Sequence, residues 1–319
     1  MKIVLSGSLS VDQIMNFDGS YADYIQPDKI RTLSISMLVK EFKRSPGGTA
    51  GNIAYSLALL GEKPVLYSSI GKESKEYMQS LADLGVDISH LHYSDLPTAT
   101  FSVLTDKNDC QVGGFYPGAM SDAKSLTVKT FQDDDIFMVI SAHDPAQMTK
   151  QAQECATYNK RMLYDVGQQS IILSKEELLI GLRSAEVLIV NDYEMGTLVK
   201  KTDLTQEEIV QFVDVAIVTL GEKGSVMYEK STNWKPKNIP ASKPLQVVDP
   251  TGAGDAFRSG FIYGYVRNWP VERASKLGSV VASFALEKHG TQEHNLSWSK
   301  IKKRYKDSYN ETINENITE

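Results

Sequence analysis

The heptapeptide Asp249-Pro-Thr-Gly-Ala-Gly-Asp255 is the stretch of this chain that says most about its fold. The apolar run at residues 245–248 precedes it and is typical of a strand, whereas the pattern over residues 255–267 is typical of a helix. A strand, a glycine-rich turn and a helix are therefore predicted in this order. Such a turn can bind an anion, because the dipole of the following helix is positive at its start.

Four residues of this heptapeptide are candidates for catalysis. Gly252, Ala253 and Gly254 can turn sharply and direct backbone N–H groups at one point, where the charge on a transferring phosphoryl group could be stabilised. Asp255 stands beside that point at the helix start, and a carboxylate there can accept the proton of an attacking hydroxyl. The alternative interpretation is a glycine-rich turn in which Asp255 is an ordinary N-cap.

A second glycine-rich stretch, Pro46-Gly47-Gly48-Thr49-Ala50-Gly51-Asn52, leads into a helix predicted at residues 49–60. Because glycine has no side chain, the backbone at Gly47 and Gly48 can approach a ligand closely. Asn52 lies one turn inside the helix, where its amide can hydrogen-bond a hydroxyl group. The alternative is a tight turn that serves only the packing of the helix against a strand.

The remaining pattern predicts an α/β protein. From residue 130 onward, strand-like runs alternate with helical patterns, which favours a parallel sheet covered by helices on both faces. Residues 12–45 and 98–116 lack this alternation and are predicted to form strands and turns outside the main body. Strands are predicted at 2–6, 65–70, 136–140, 161–164, 187–190 and 216–219, return strands at 224–228 and 234–239, and helices at 49–60, 73–84, 146–159, 175–183, 194–200, 205–212, 255–267 and 271–287.

Composition and charge argue against several classes of protein. The 319 residues carry a net charge of −6, whereas a nucleic-acid-binding protein normally presents a basic patch. No apolar stretch approaches the ~20 residues of a membrane span, and the N-terminal apolar run breaks at Ser6, which does not fit a signal peptide. The two cysteines, Cys110 and Cys155, lack the spacing of a zinc site. A cytoplasmic protein without nucleic-acid or membrane partners is expected.

Together with Gly7-Ser-Leu-Ser-Val-Asp12, the two glycine-rich stretches resemble the PfkB or ribokinase family of carbohydrate and nucleoside kinases, over nearly the whole chain. The resemblance implies a single ribokinase-like domain over residues 1–319, with a central, mostly parallel sheet between helices and a small β-sheet lid. Residues 12–45 and 98–116 fall where such a lid would be built. The resemblance further implies ATP, Mg²⁺ and a small-molecule acceptor, and homodimers formed through the lid occur in this fold class.

The resemblance also implies roles for individual residues. Asp255 would be the catalytic base, and the backbone at residues 252–254 would be the anion hole. Asp12, Gly48 and Asn52 would bind hydroxyl groups of the acceptor. A carboxylate such as Asp12 suits this task because it can accept hydrogen bonds from two vicinal hydroxyls, although it could also be a turn former after the first strand.

Two further segments match the nucleotide site of the family. Asn191-Asp-Tyr-Glu194 resembles the N-x-x-E motif linked to Mg²⁺ and phosphate placement, in which Glu194 would act on the metal ion, either directly or through water. Its alternative is the capping box of a helix, and both interpretations can hold at once. Thr219-Leu-Gly-Glu-Lys-Gly224 resembles the nucleotide loop, where Thr219, Gly221 and Gly224 would lie near ATP; a simple hairpin turn is the alternative.

Three more positions are assigned possible ligands by the resemblance: Asp249, Thr251 and Asp165. A monovalent cation, usually K⁺, binds many relatives near the positions of Asp249 and Thr251. Asp165 ends a predicted strand, but Val166 follows it where many relatives have proline. A phosphate or metal-water role for Asp165 therefore stays open.

The acceptor is predicted from weaker signals. Segments 27–29, 114–120, 167–169 and 284–292 resemble the nucleoside-kinase branch. A nucleoside base needs a flat apolar surface, which Phe115, Phe17, Phe101 or Tyr116 of the lid could provide, with packing inside the lid as the alternative. We expect an ATP-dependent kinase that phosphorylates the 5′-hydroxyl of a ribonucleoside. A free-sugar kinase of the ribokinase or fructokinase type is the alternative, and a non-catalytic metabolite-binding protein is a remote one.

Overall fold

The structure is a computed structural model that describes residues 1–25, 27–108 and 110–314. The side chains of residues 27–29, one of the segments that resemble nucleoside kinases, lie outside the described part. The strands are β1 (Lys2–Ser6), β2 (Ser10–Asn16), β3 (Glu41–Gly47), β4 (Val65–Leu66), β5 (Ser69–Gly71), β6 (His92–Ser94), β7 (Ala99–Thr105), β8 (Gln111–Tyr116), β9 (Ile136–Ile140), β10 (Arg161–Tyr164), β11 (Val187–Asn191), β12 (Val215–Thr219), β13 (Ser225–Glu229) and β14 (Lys237–Ile239). The α-helices are α1 (Tyr21–Tyr24), α2 (Thr49–Leu59), α3 (Lys75–Asp83), α4 (Pro145–Thr157), α5 (Lys175–Ser184), α6 (Asp192–Thr202), α7 (Gln206–Val210), α8 (Ala253–Tyr265), α9 (Val271–Ala285) and α10 (Trp298–Tyr309).

The large sheet has the strand order β14-β13-β12-β11-β10-β9-β1-β4. The pairs from β4 to β12 are parallel, and the pairs β12–β13 and β13–β14 are antiparallel. All five residues of β9 are buried, as expected for a strand of a parallel sheet that is covered on both faces. The predicted central, mostly parallel sheet is confirmed.

Helices cover the large sheet on both faces. Successive side chains of a strand point to opposite faces, so one strand contributes to two cores. Phe137 and Val139 pack in a cluster that includes residues of α2, α8, α9 and α10. Met138 and Ile140 pack in a second cluster that includes residues of α4, α5, α6 and α7. The sheet therefore lies between two helical layers.

A separate, smaller sheet has the order β3-β2-β7-β8. The pairs β2–β3 and β7–β8 are antiparallel, and the pair β2–β7 is parallel. Every residue of β8 is exposed, so this edge of the sheet has no covering layer among the described residues. The small sheet is built mainly from the two segments, 12–45 and 98–116, that were predicted to leave the main body, but β2 begins at Ser10 and β3 ends at Gly47, two residues beyond the predicted bounds.

Part of the first segment differs from the prediction of strands and turns. Tyr21–Tyr24 form a short helix, whose N-cap Ser20 accepts a hydrogen bond from the backbone of Ala22. Pro27–Thr32 form 3₁₀ turns. Short polar stretches of this kind adopt local turns when no neighbouring strand is available to pair with them.

The predicted strand at 65–70 is also divided. β4 adds to the large sheet beside β1, whereas β5 pairs with β6 in a two-stranded sheet of its own. Ser68 lies between them, and its hydroxyl donates to the backbone oxygen of Gly7. An apolar run in the sequence predicts an extended backbone, but it does not predict which sheet the strand joins.

The predicted strand at residues 245–248 is absent, which is the main correction to the sequence analysis. The side chains of Leu245 and Val247 are 87% and 66% exposed. The backbone N–H groups of Val248 and Asp249 donate to the carbonyl of Leu286, at the end of α9, at 2.8 and 3.3 Å. The segment is therefore an extended connection held by a helix end, and it does not add to the large sheet.

Candidate active site

The turn of the DPTGAGD stretch is shaped by Gly252. Its φ of 79° lies in the left-handed region, and a Cβ atom there would approach Thr291 to 2.9 Å. Gly252 is the N-cap of α8, so the helix begins at Ala253, two residues before the predicted start. The N–H groups at the first turn of a helix have no helical acceptors, which makes this end of α8 suitable for an anion.

Asp255 lies in the first turn of α8 and is nearly buried. Its Oδ2 accepts a hydrogen bond from Asn52 Nδ2 at 2.8 Å, and Arg258 Nη1 lies 3.7 Å from its Oδ1. Burial raises the pKa of Asp255, whereas the charge of Arg258 and the hydrogen bond from Asn52 lower it. A carboxylate in this setting can take a proton from a hydroxyl group.

Hydrogen bonds connect Asp255 to the second glycine-rich stretch. Asn52, on α2, donates to Asp255 and accepts through Oδ1 from Gln292 Nε2 at 3.0 Å. Gln292 Nε2 also donates to Tyr77 Oη at 2.8 Å, and Tyr77 Oη donates to the backbone oxygen of Gly47 at 3.0 Å. Both ends of the Asn52 amide thus contact protein atoms. Its predicted contact with the acceptor stays a prediction.

Glycine is required at positions 47 and 48 because neighbouring atoms leave no room for a Cβ atom at either position. A Cβ atom on Gly47 would lie 2.7 Å from Asp12 Oδ2, and one on Gly48 would lie 2.4 Å from the backbone oxygen of Ser8. Gly48 also has a φ of 90°. The pair therefore lets β3 turn into α2 directly beside Asp12.

Asp12 lies on β2 of the small sheet. Burial raises the pKa of Asp12 to about 6, a weak hydrogen bond from Ser10 lowers it, and the charges of Asp249 and Asp255 raise it. The structure thus places Asp12 within electrostatic range of the candidate base, although 243 positions separate them along the chain (255 − 12). Two carboxylates near each other suit a site whose acceptor carries several hydroxyl groups.

Two phenyl rings continue the row that begins with Asp12. Asp12 is the strand partner of Phe101, and Phe101 is the strand partner of Phe115. Directly paired residues project from the same face of a sheet, so these three side chains form one row across β2, β7 and β8. The side chains of Phe101 and Phe115 are 39% and 50% exposed.

The other two predicted stacking residues, Phe17 and Tyr116, lie elsewhere. Phe17 follows β2, is buried and packs edge-on against Tyr21 and Tyr24, so its role is to pack α1 against the end of this strand. Tyr116 follows Phe115 directly in β8 and therefore projects from the opposite face. Neither is available to the surface formed by Phe101 and Phe115.

Asn191 and Glu194 form the capping box that was the alternative reading of this motif. Asn191 Oδ1 accepts from the backbone N–H of Glu194 at 2.7 Å, and Glu194 Oε2 accepts from the backbone N–H of Asn191 at 2.8 Å. The same Oε2 lies 3.8 Å from Arg258 Nη2. The cap holds the carboxylate of Glu194 at the start of α6, facing the first turn of α8.

Arg258 is a site residue that the sequence analysis missed. Its side chain is buried, and Nη2 lies 2.5 Å from Oδ1 of Asp165. Burial raises the pKa of Asp165 above its ordinary range, although the charge of Arg258 opposes this effect. The spacing i, i+3 from Asp255 on a helix was the available signal, because it puts both side chains on one face.

The segment 219–224 is a hairpin between β12 and β13. Gly224 has a φ of 90°, and a Cβ atom there would lie 2.0 Å from the backbone oxygen of Ile239, so the hairpin itself requires this glycine. Gly221 has a φ of 59° with open space around it. Thr219 ends β12 next to Asn191, its strand partner on β11. The predicted contacts of Thr219, Gly221 and Gly224 with ATP stay predictions.

Asp249 ties together two loops at the start of α8. Its Oδ1 accepts from the backbone N–H of Thr251, and its Oδ2 from that of Gly290, both at 2.9 Å. Partial burial raises the pKa of Asp249, but the hydrogen bonds from Gly290 and Thr251 outweigh burial and lower it. Asp249 is thus ionised at neutral pH and lies near the candidate anion site.

Neither a dedicated metal cage nor a membrane helix occurs in the described ranges. No group of three or more His, Cys, Asp or Glu side chains there is arranged to hold a metal ion. Among the same residues, no helix combines the length and apolar character that a membrane crossing requires.

Comparison with known proteins places these features in a family. A model of the pfkB family of carbohydrate kinases matches residues 10–298. A nucleoside kinase of Methanocaldococcus jannaschii is 31% identical over 306 residues, which cover 95% of this chain and 96% of that protein. The crystal structure of a nucleoside kinase from M. jannaschii superposes with a TM-score of 0.86 at 30% identity, covering 96% and 99% of the two chains. The structure of a Burkholderia thailandensis nucleoside kinase in complex with inosine has a TM-score of 0.87 at 27% identity, covering 98% and 100%.

Proposed function

The chain belongs to the pfkB family of carbohydrate kinases, and on that basis we propose that it transfers the γ-phosphoryl group of ATP to the 5′-hydroxyl of a ribonucleoside. Membership of the family makes the chain a phosphotransferase that acts on a hydroxyl group, and the structural neighbours confirm the ribokinase-like α/β fold. The ribonucleoside as acceptor and the 5′-hydroxyl as the reacting group are the parts that we propose.

The row of Asp12, Phe101 and Phe115 is the observation that carries this proposal. A ribonucleoside has a flat base and a ribose with two vicinal hydroxyls. The exposed rings of Phe101 and Phe115 provide a surface for the base, and Asp12, on the same face, provides acceptors for the hydroxyls. A sugar without a base would leave both rings exposed. The relative from B. thailandensis has been seen with inosine and with ADP-inosine, in line with this assignment.

The reaction then follows from groups near the start of α8. Asp255 takes the proton of the acceptor hydroxyl, and the hydrogen bond from Asn52 orients the carboxylate for that transfer. The N–H groups at residues 252–254 stabilise the negative charge of the transferring phosphoryl group. ATP lies across the hairpin 219–224 and the end of α9. A small sheet that closes over the acceptor would exclude water and so limit hydrolysis of ATP.

Glu194 is the residue that we propose to act on Mg²⁺, through water. Mg²⁺ in kinases is held mainly by phosphates and water with one or two carboxylates, and Glu194 is a carboxylate fixed at the edge of the candidate phosphate site. When bound, Mg²⁺ supplies positive charge that neutralises the phosphate oxygens. The capping box of α6 keeps Glu194 in place for this role.

We also propose that a monovalent cation such as K⁺ binds the loop that contains Asp249 and Thr251. Asp249 keeps a negative charge there and joins this loop to Gly290, so that a cation would rigidify both loops beside Gly252. Replacing KCl by choline chloride at constant ionic strength should lower kcat. Equal rates in both salts would overturn the cation assignment and leave the kinase assignment intact.

A substrate panel tests the proposed acceptor. ADP release is measured with ATP·Mg²⁺ and adenosine, inosine, guanosine, cytidine, ribose, fructose and fructose 6-phosphate. We expect turnover with one or more nucleosides and little with the sugars. Turnover with free sugars alone would overturn the nucleoside assignment, and no turnover with any acceptor would favour the metabolite-binding alternative.

A pair of variants tests the stacking surface. Phe115→Ala should raise KM for the nucleoside by roughly 10-fold, the equivalent of one aromatic contact, with little change in KM for ATP. Tyr116→Ala is the matched control, because Tyr116 is the next residue, is similarly exposed and faces the other way. Equal effects of both variants on the nucleoside KM would contradict the proposal.

The opposite face of the small sheet supports a homodimer, as expected from the fold class. An apolar row crosses this face through three strand pairs, Phe42–Met15, Met15–Leu104 and Leu104–Val112. Phe42 and Val112 are exposed in the single chain, and a second copy would cover them. We propose that the protein is a dimer in the cytoplasm. Light scattering after size-exclusion chromatography should show a dimer for the wild type and a monomer for Val112→Asp.

A further inference from the structure

Arg258 is surrounded by three carboxylates from three different elements. Its Nη2 lies 2.5 Å from Asp165 Oδ1, directly after β10, and 3.8 Å from Glu194 Oε2, in the first turn of α6. Its Nη1 lies 3.7 Å from Asp255 Oδ1, in the first turn of α8. The guanidinium therefore occupies the point where the end of a central strand and the starts of two helices meet.

The glycine-rich turn makes room for this guanidinium. A Cβ atom on Gly254 would lie 2.8 Å from Arg258 Nη1, closer than a Cβ atom packs against another heavy atom, so the guanidinium would have to shift. The second glycine of the DPTGAGD stretch therefore serves the arginine as well as the anion site. Because a guanidinium is a planar fork with five N–H donors, its two Nη groups can face different carboxylates in a fixed geometry, which a lysine ammonium does not provide.

The cluster does not have the form of an ion pair that serves stability alone. Arg258 Nε and Asp165 Oδ2 are buried without a hydrogen-bond partner among the described residues. A buried polar atom without a partner costs free energy, and one guanidinium cannot neutralise three carboxylates. Asp12, on β2, is a fourth acidic group nearby, and burial and the charge of Asp255 both raise its pKa. Buried charges in such excess are typical of functional sites.

We propose that Arg258 is a positioning residue for phosphoryl transfer, which holds Asp255 and Glu194 at a fixed separation through a single guanidinium anchored on Asp165. Asp255 lies on the acceptor side of the reaction and Glu194 on the ATP side, so the arginine couples the two halves of the site. This inference rests on the phosphotransferase activity and not on the identity of the acceptor.

The role of Arg258 predicts a loss of kcat rather than of binding. In Arg258→Ala, Asp255 and Glu194 lose their common partner, and kcat should fall by about 100-fold or more, with changes in KM for ATP and acceptor of no more than about 3-fold. Free guanidinium ion, at tens of millimolar, should restore part of the lost rate by occupying the position of the deleted group. Arg258→Lys should be intermediate, because an ammonium supplies charge without the fork.

Arg161→Ala is the control for the loss of an arginine that is ion-paired to a carboxylate outside the site. Arg161 makes a two-pronged ion pair with Glu186, at 2.7 and 2.8 Å, at the opposite end of β10 from Asp165. This variant should lose stability without a large change in kcat and without rescue by guanidinium. The comparison separates a structural contribution from a positioning one.

The experiment uses the full chain, ATP·Mg²⁺ and whichever acceptor of the panel the wild type phosphorylates, so a wrong choice of nucleoside does not affect it. Melting temperature and ATP binding by calorimetry are measured for every variant. Loss of kcat with retained ATP affinity and rescue by guanidinium supports the proposal. The proposal is overturned if Arg258→Ala has the wild-type kcat. It is also overturned if guanidinium restores none of the lost rate and Arg258→Lys loses as much kcat as Arg258→Ala does. Should Arg258→Ala fail to fold, Arg258→Gln and Arg258→Lys give the same comparison.

Discussion

The protonation of Asp255 is set by a balance that involves residues from several parts of the chain. Burial favours the neutral carboxyl, whereas Arg258 and the hydrogen bond from Asn52 favour the carboxylate. A general base must be ionised to act, and it works best when its pKa is not far below the working pH. The surroundings of Asp255 therefore suit a base near neutral pH better than those of an exposed aspartate.

Replacing this carboxylate tests its role directly. Asp255→Asn should lower kcat by about 100- to 10,000-fold, because an amide cannot take the proton of the acceptor. The new amide oxygen can still accept from Asn52, so the melting temperature and the affinity for ATP should be nearly unchanged. Steady-state kinetics and calorimetry on the same preparation provide the measurement. A variant with near-wild-type kcat would refute the assignment of Asp255 as the base.

The acidic group on the small sheet predicts a pH dependence of acceptor binding. Burial raises the pKa of Asp12 to about 6, and the carboxylate accepts hydrogen bonds from two hydroxyls only when it is ionised. The affinity for the acceptor should therefore be high above pH 6 and should fall as the pH drops through 6. Calorimetric titrations between pH 5 and 8 measure this effect, and Asp12→Asn should bind weakly and lose most of the dependence. A wild-type affinity that is constant over this range would contradict the prediction.

At the scale of elements, α2 is bounded by two glycines with similar backbone angles but different surroundings. Gly48, at its N-cap, has a φ of 90°, and Gly61, just after its end, has a φ of 95°. A Cβ atom on Gly48 would lie 2.4 Å from the backbone oxygen of Ser8, whereas one on Gly61 would meet nothing within 4 Å. Glycine is therefore required at position 48 by a close contact and by its backbone conformation, whereas at position 61 only the backbone conformation favours it.

This contrast gives a stability prediction with an internal control. Gly61→Ala should cost about 1 kcal/mol, the usual penalty for a side chain in a left-handed conformation. Gly48→Ala should cost clearly more, roughly 3 kcal/mol or above, because the backbone of Ser8 must also move. Urea unfolding of both variants gives the difference. Equal losses of unfolding free energy in the two variants would contradict this prediction. They would mean that the backbone of Ser8 moves away from the added Cβ atom at little cost.

At the scale of the whole molecule, the candidate site lies between the small sheet and the edge of the large one. Asp12 and the phenyl rings belong to the small sheet, whereas Asp255 and Glu194 start helices that cover the large sheet. Gln292 and Tyr77 link the two parts through Asn52 and Gly47. A ligand that contacts both parts should therefore stabilise the molecule as a whole.

Ligand-induced stabilisation is a prediction at this scale. At 100 times its Kd, the acceptor should add about 2.7 kcal/mol to the free energy of unfolding and raise the melting temperature accordingly. Asp255→Asn should keep this increase, because the acceptor still binds, whereas the double variant Phe101→Ala, Phe115→Ala should lose most of it. Differential scanning calorimetry provides the measurement. An undiminished increase in the double variant would show that the rings do not contact the acceptor.

Much of the fold could be predicted from the sequence. β9 and β10 have the predicted bounds, and α2, α5 and β11 differ by one residue at most. These elements are either continuous apolar runs, which a sheet covered on both faces requires, or amphipathic segments with clear caps. The resemblance to the family and to nucleoside kinases could also be recognised in the sequence. Each of the two glycine-rich stretches specifies its backbone geometry and its chemistry within a few consecutive residues.

The candidate site was predicted only in part. The residues named for it lie in motifs whose local geometry can be read from order and spacing, as the capping box of Asn191 and Glu194 shows. Arg258, Gln292 and Tyr77 were not named, because their importance comes from contacts with distant positions. The apolar side chains of Leu245 and Val247 indicated a strand, yet the segment joins no sheet and these side chains are exposed beside α9.

The sequence by itself thus determined the α/β class, the mostly parallel sheet, the family and the position of the glycine-rich turns, since each depends on residues that are neighbours along the chain. Only the tertiary structure decided which side chains meet. The bond from Asn52 to Asp255 joins residues 203 positions apart, and that from Arg258 to Asp165 joins residues 93 apart. Such pairs form when strand order and helix packing bring distant segments together. A local sequence pattern carries no information about which distant segments will be in contact.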